Sequence, residues 1–378
     1  MKSELPHAII KHSRTGVEAT KITIIGFGKC GNRIADEFCR LNVRARALRG
    51  FGIAAGVFAV DSNMADLAEL RRVRPEHRIL IGEEKTGGQG AGGINELGGE
   101  LARASSDRIT NAAGTSEKFL ETDAFLLIAS AAGGTGSGAI AVVTQRLKGS
   151  YPEKMVYNMV VTPFDAETAD EKTITNTAIC LKSAYSVADA IFLVDNQRYA
   201  AKGLSIEDNA LQINTAMVEP FYELLSAGEE KTPAHIGAKT IDAGDIIQTL
   251  AGWTVIGQGK VPVPRFRVPF MKKSDFRDKF SETDNGIQAL NRAMSELSLK
   301  CNPADAKRAL YLLAAPAQEM GVTQFALIGS TLRNSVPDAI MRSGDYPRSR
   351  DSMSVTVLLS ELAKVEKVAD YFNKAANK

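Results

Sequence analysis

Two glycine runs constrain this chain of 378 residues more than any other feature, because each lies between an unbroken apolar run and a helical stretch. KITIIG at 21–26 reads as a buried strand. Gly26-Phe27-Gly28-Lys29-Cys30-Gly31 follows at once with GxGxxG spacing, and Ile34, Phe38 and Leu41 then recur at helical intervals. DAFLLIAS at 123–130 is a second such strand, followed by Ala132-Gly133-Gly134-Thr135-Gly136-Ser137-Gly138 and the helical AIAVVTQRL. A glycine turn ahead of a helix lets backbone N–H groups and the positive end of the helix dipole approach an anion closely. Taken alone, the first run fits a dinucleotide enzyme, a mononucleotide enzyme or a tight structural turn. The second is too glycine-dense for an ordinary turn, and Thr135 and Ser137 add hydroxyls for phosphate or hydrated magnesium. Between them, Gly87-Gly88-Gln89-Gly90-Ala91-Gly92-Gly93 reads as a third phosphate-facing loop, with a mobile lid or a plain glycine turn as alternatives. No GxxxxGK[ST] segment occurs, which disfavours a Walker-type ATPase and leaves the phosphate to backbone dipoles and magnesium.

Further aliphatic runs at 57–61, 154–161 and 190–195 alternate with helical stretches, the pattern of a parallel sheet covered on both faces. Ile206, Ala210, Ile213, Met217 and Phe221 form one stripe of a long linking helix over 206–225. A turn-rich break at 226–235 follows, then a helix starting near Asp242. Next comes AGWTVIGQGKVPVPRF, where Pro262 and Pro264 argue against a central strand. The final third mixes a helix at 285–298 with RALYLLAA at 308–315, QFALIGS at 324–330, alternating SVTVLLSEL at 354–362 and an amphipathic stretch over 361–376. That is a second, α+β unit, divided from the first near residue 230.

Lys plus Arg number 46 against 44 Asp plus Glu, so global charge implies no nucleic-acid partner. The four cysteines and four histidines are scattered without metal-ligand spacing, and the thiols read as intracellular. Residues 1–20 form a polar leader without the apolar region of a secretion signal, and no later segment offers an uninterrupted membrane span, so a cytoplasmic protein is expected. The stretch 260–279 carries seven basic residues against two acidic ones. A solvated surface is the ordinary reading, with attraction to a membrane or to an acidic neighbouring face as alternatives.

With these motifs in order, the sequence resembles the tubulin and FtsZ superfamily of polymerising GTPases. Cys30-Gly31-Asn32-Arg33-Ile34 is similar to its first phosphate loop, and Gly133-Gly134-Thr135-Gly136-Ser137-Gly138 matches its signature loop. Gly90-Ala91-Gly92-Gly93 and Thr162-Pro163-Phe164-Asp165-Ala166-Glu167 look like two further nucleotide loops. The resemblance spans about residues 20–260 and implies nucleotide contacts from Gly28, Lys29, Cys30, Gly31, Asn32, the 90–93 and 133–138 loops, Pro163 and Glu167. It makes Asn63 a magnesium- or phosphate-side candidate and gives Asn196 and Asn214 the guanine edge. Read without it, Asn63 is a strand-end Asx turn, Asn196 a turn cap and Asn214 a surface helix residue. Ala210 stands one turn before Asn214, where family members often carry an aromatic, and Thr168-Ala169-Asp170-Glu171 lacks an arginine common after the matching loop. Asp245-Ile246-Ile247-Gln248-Thr249-Leu250-Ala251-Gly252 and Gly344-Asp345-Tyr346-Pro347-Arg348 lean toward the archaeal CetZ-like branch.

Asp242 and Asp245 sit three apart at a helix start, where they either cap the helix or present two carboxylates to one side. The resemblance places this loop against a neighbouring subunit's nucleotide, with Asp242 the first and Asp245 the second choice to orient the attacking water. The expectation is therefore an α/β, Rossmann-like parallel-sheet GTPase domain (21–205), a central helix (206–230) and a smaller α+β domain (231–378). It would bind GTP or GDP with Mg²⁺ and assemble head-to-tail with copies of itself, for cell shape or filament scaffolding. A membrane adaptor and recruitment to the inner face of the cell membrane are left open. The alternatives are an FtsZ-like division GTPase, a scaffold with little hydrolysis and, least favoured, a nicotinamide-dependent dehydrogenase.

Overall fold

The apolar runs pair into one ten-stranded sheet in a computed structural model that describes residues 21–200, 206–227, 233–263, 276–348 and 351–377. The polar leader and residues 264–275 of the basic stretch lie outside the described residues. The chain begins with β1 (Ile22–Phe27), α1 (Gly28–Arg49), β2 (Ala54–Asp61), α2 (Met64–Ala68), β3 (Arg78–Leu80) and α3 (Glu83–Thr86). It continues through α4 (Asn95–Ala104), α5 (Ser106–Gly114), β4 (Ala124–Ser130), α6 (Thr135–Ser150), β5 (Met155–Thr162), α7 (Glu171–Val187), β6 (Ala190–Asp195) and α8 (Asn196–Tyr199). The long α9 (Ile206–Ser226) leads to α10 (Ala243–Thr249), β7 (Gly252–Pro262), α11 (Phe276–Ser295), β8 (Arg308–Ala315) and α12 (Val322–Ser335). After these come β9 (Ile340–Pro347), β10 (Ser352–Ser360) and α13 (Glu366–Ala376).

Strand order is β3-β2-β1-β4-β5-β6-β7-β10-β8-β9. From β3 through β7 every pairing is parallel, and β10 then runs antiparallel to both β7 and β8. Because side chains alternate along a strand, the parallel half feeds two cores. Ile25, Phe27, Leu127 and Val160 point into a layer closed by Val143, Leu147 and Leu181 of α6 and α7. Ile24, Leu126, Ile128 and Met159 point into another with Ile34 and Phe38 of α1 and Met217 and Phe221 of α9. The Phe38 and Phe221 rings meet edge-on at 5.6 Å, which locks α9 over α1.

The expected α/β architecture with a long linking helix is what forms, with two differences in detail. First, β7 is central: Gly252–Thr254 pairs with β6, and the remainder pairs with β10. Pro262 is tolerated because pairing with β6 ends at Thr254, so the strand has one partner where the proline lacks its N–H. Second, QFALIGS lies inside α12, and the short β3 and the mostly polar β9 carried no strand pattern that could have announced them. The second half is tied to α9 by a fully buried ion pair between Glu223 and Arg348, to which the Ser354 hydroxyl also donates.

Candidate functional site

In an open parallel sheet the loops at the carboxyl ends of the strands diverge where strand order reverses, leaving a crevice. Here β1 has β2 on one side and β4 on the other, and the two glycine runs leave β1 and β4 side by side. The crevice is a cavity of about 410 Å³ lined by Gly28, Lys29 and Cys30, by Asp61, Asn63 and Asp66, by the 90–93 and 133–136 loops, and by Glu167 and Thr173. Three glycine loops that are far apart in sequence thus face one space.

The loops hold one another in place. The Ser62 hydroxyl is 2.6 Å from that of Thr135, and Gly90 N–H donates to the Ser62 carbonyl at 3.0 Å. On α7, Lys172 Nζ donates to the Gly92 carbonyl at 2.9 Å, and Asn176 Nδ2 donates to the carbonyls of Gly93 and Ala132, each at 2.9 Å. Asn95 Nδ2 donates to Ser137 Oγ at 2.9 Å. Within 87–93, five glycines have positive φ, between 59° and 91°, a path that side-chain-bearing residues rarely follow. Glycine here serves to fold the loop as well as to open it.

Charge in the cavity is predominantly acidic. Asp61 is buried, and loss of solvent pushes its carboxyl up to about 6 despite hydrogen bonds from Asn63 N–H and Asn32 Nδ2. The half-buried Cys30 thiol is pushed up to about 12, first by loss of solvent and then by the Glu167 charge, so it is no nucleophile. Lys29, expected at the phosphate, pairs instead with Asp66 at 2.8 Å and Glu69 at 3.8 Å, at the edge of the cavity. A carboxylate buried without a counter-charge suits a hard cation that also takes phosphate oxygens. Mg²⁺ is ordinarily held this way, by one or two carboxylates plus phosphate and water. Among the described residues no group of three or more His, Cys, Asp or Glu could hold a metal by itself.

Of the predicted residues, Gly28, Lys29, Cys30, Asn63, Gly90, Ala91, Gly92, Gly93, Gly133, Gly134, Thr135, Gly136 and Glu167 line this cavity. Gly31, Asn32, Ser137, Gly138, Pro163, Asn196 and Asn214 do not, and the reasons are visible. Gly31 lets α1 lie on β4, since a Cβ there would sit 2.1 Å from the Ile128 carbonyl oxygen. Asn32 is buried and clamps Val60 from both its N–H and its carbonyl side while donating to Asp61. Ser137 turns back onto the Gly133 carbonyl. Gly138 is the crossing point of α4 and α6, where a Cβ would lie 2.2 Å from the Asn95 carbonyl oxygen. These residues support the cavity from behind. Pro163 is buried in the loop after β5. Asn63 is both things at once, lining the cavity and accepting from Ala65 and Asp66 N–H as the cap of α2. Asn196 opens α8, and Asn214 borders an adjoining cleft with Arg33, Glu37, Glu69 and Ala210, where Arg33 pairs with Glu69 at 2.9 Å.

Asp242 and Asp245 contribute nothing to the cavity within one chain. They form a reciprocal cap on α10: Asp245 N–H donates to Asp242 Oδ1 at 2.8 Å, and Asp242 N–H donates to Asp245 Oδ2 at 3.4 Å. Asp245 also faces Arg342 at 3.6 Å. In the lining, the sequence pointed to neither Asp66 nor Thr173, and it offered Gln89 and Asp61 only as members of their loops, beside the glycines and Asn63; Asn95, Lys172 and Asn176 behind the lining went unmarked. The spacing of Lys172 and Asn176, four apart on one helical face, was the available signal, but only the fold says what that face meets.

A doubly wound sheet with a phosphate cradle at its switch point, joined through a long helix to a second sheet-bearing half, defines a nucleotide-binding protein of the tubulin and FtsZ type. Residues 21–201 match the Tubulin/FtsZ family, GTPase domain, and residues 203–377 match the Tubulin-like CetZ, C-terminal domain. The tubulin-like protein CetZ1 of Haloferax volcanii is 30% identical over 366 residues, covering 93% of this chain and 90% of that protein. The solved GDP-bound monomer of CetZ1 from the same organism superposes with a TM-score of 0.81 at 26% identity, over 95% of this chain and 99% of that one. A GTPγS-bound protofilament of its CetZ2 gives the same TM-score at 24% identity, over 95% and 98%, and shares the fold. This chain belongs to the tubulin-like CetZ family and is a cytoskeletal GTPase, as the motifs led one to expect.

Proposed function

We propose that this chain binds GTP with Mg²⁺ in the glycine cradle and hydrolyses it at a head-to-tail contact that a second copy completes, building filaments that shape or brace the cell. The convergence of the 28–30, 90–93 and 133–136 backbones on one cavity is the observation that carries the reading. Glycine backbone from three loops around one space suits a triphosphate, and little covalent chemistry is asked of the protein beyond positioning and charge stabilisation. Asp61 and Asp66 would hold the Mg²⁺, which supplies charge neutralisation to the phosphates. Asn196 and Asn214, carrying both donor and acceptor, read the guanine edge.

Each carboxylate that lines the cavity already has a partner within the chain: Asp61 accepts from Asn32 and Asn63, Asp66 pairs with Lys29, and Glu167 accepts from Phe164 N–H. The water-orienting group then comes from outside, and the acidic start of α10 is the candidate. Each of its two carboxylates accepts one backbone N–H from the other residue, and Asp242 is the better candidate because Asp245 also faces Arg342. A heterologous contact of this kind does not close on itself and propagates as a filament. Exposed apolar side chains next in the chain to the lining residues Asn63 and Gly93, Met64 at 51% and Ile94 at 45%, fit a surface covered on assembly. Such a GTP-consuming filament belongs in the cytoplasm, and the basic stretch 260–279 would favour the anionic inner face of the membrane or an adaptor there. Binding to anionic vesicles tests that part.

Phosphate release and light scattering followed across protein concentration test the main reading. Turnover per molecule should climb with assembly. Turnover that is flat with dilution removes the shared site, and assembly without turnover makes the protein a scaffold.

A further inference from the structure

The loop given the guanine edge is built from both halves of the chain. Strand β6 ends at Asp195, which is 6% exposed, and Asn196 opens the four-residue α8. Asp195 Oδ1 accepts from Gln197 N–H at 3.1 Å, the cap of this helix, and the same oxygen lies 2.8 Å from Lys367 Nζ on α13. Lys367 also reaches Asp165 at 3.5 Å, in the loop after β5, and Asp165 N–H donates to Gln197 Oε1 at 3.2 Å. From the other side, Asp195 N–H donates to the Ser298 carbonyl at 2.8 Å, and the Arg198 guanidinium donates to the Ser295 carbonyl. Helix α13 is seated by buried Val368 and Tyr371 and packs along α7, so the ammonium is held in place.

We propose that Lys367 is a positioning residue for guanine recognition, holding Asp195 so that α8 presents Asn196 to the base. This rests on the reading of Asn196 given above. A helix of four residues has almost no stability of its own, so its cap and the counter-charge behind that cap decide whether it exists. Without Lys367 the Asp195 carboxylate is buried next to a second carboxylate with its cation gone. It then turns to solvent, freeing the Gln197 N–H and unravelling the turn that carries Asn196. The C-terminal helix would in this way make base selectivity depend on the docking of the second half, more than 170 residues along the chain.

Calorimetric affinities of the full chain for GTP and for ITP, whose base lacks the exocyclic amine, separate positioning from general support. Lys367→Met should weaken GTP about tenfold and ITP less than about twofold, collapsing the preference between them. Lys367→Arg should restore it. Lys374→Met, which removes only an exposed pair with Asp370 on the same helix, should leave both affinities as they were. Equal losses for both nucleotides in Lys367→Met overturn the proposal, as does a preference kept there while Asn196→Ala abolishes it. If Asn196→Ala itself keeps the preference, the base-reading assignment falls and the inference with it, a distinguishable result. Should Lys367→Met fail to fold, Asp195→Asn breaks the same ion pair while an amide still caps the helix. The same collapse is expected in it, and an intact preference overturns the idea.

Discussion

Asp242 shows how one side chain can serve as scaffold and reagent together, and how the two can be separated. Its Oδ1 caps α10 through Asp245 N–H. Alanine would remove the cap, at about 1 kcal/mol, along with the carboxylate. Asparagine caps equally well but cannot polarise water as an anion does. Asp242→Asn should therefore leave thermal stability and GTP affinity nearly unchanged while lowering assembly-stimulated turnover about 100-fold or more, read as phosphate release in assembled samples. Asp61 makes a second prediction at this scale. Its buried carboxyl, raised to about 6 by lost solvation, is the cavity's internal demand for a cation. Chelating Mg²⁺ should weaken GTP binding in the native chain by about tenfold or more. In Asp61→Ala most of that dependence should already be gone, as calorimetry with and without chelator would read.

Among the elements, the phosphate loops owe their shape to α4, α6 and α7 behind them. Helices α4 and α6 cross where Gly98 and Gly138 leave no side chain between backbones. A valine at 138 would force the helices apart in a close-packed interior, at a cost of about 1–3 kcal/mol or more. Gly138→Val should lower the urea midpoint and GTP affinity together. Asn176 is different, because its side-chain amide donates to the carbonyls of the two loops. Asn176→Ala leaves those acceptors without their donor, about 1–3 kcal/mol of desolvated oxygen, concentrated where phosphate binds. Its nucleotide affinity should fall about tenfold for a comparatively small fall in melting temperature, which calorimetry and thermal unfolding would resolve. Neither result was readable from the glycine run alone, where Gly138 looks like any other phosphate-loop glycine.

Across the whole molecule, α9 couples the halves through Glu223, Arg348 and Ser354, all fully buried. Removing one partner of such a pair strands a charge in the interior, at about 3–5 kcal/mol, whereas replacing both with apolar residues is close to neutral. Glu223→Gln should accordingly cost several times more in chemical denaturation than the double variant Glu223→Leu/Arg348→Met. If α9 transmits nucleotide state, the double variant, though stable, should lose the dependence of assembly on GTP over GDP, seen by light scattering. The apolar stripe announces α9, and Arg348 stands in a family-like string, but nothing in the sequence marks Glu223. A glutamate on a helix reads as solvated until its partner, 125 residues away, is brought against it.

The features legible in the chain are local and repetitive: strands from aliphatic runs, α9 from its period, and the cradle from glycines set between strand and helix. These follow from short-range sterics and burial, which act within a dozen residues and leave a pattern in the chain. The tertiary structure decided which glycines face the ligand and which face another helix, sending Gly31 and Gly138 behind the cavity and Asp61 into it. It also decided that Lys367 should meet Asp195 and Arg348 meet Glu223. The physical reason is that burial and charge pairing are properties of a place. Residues distant in the chain acquire them only when the fold has made that place.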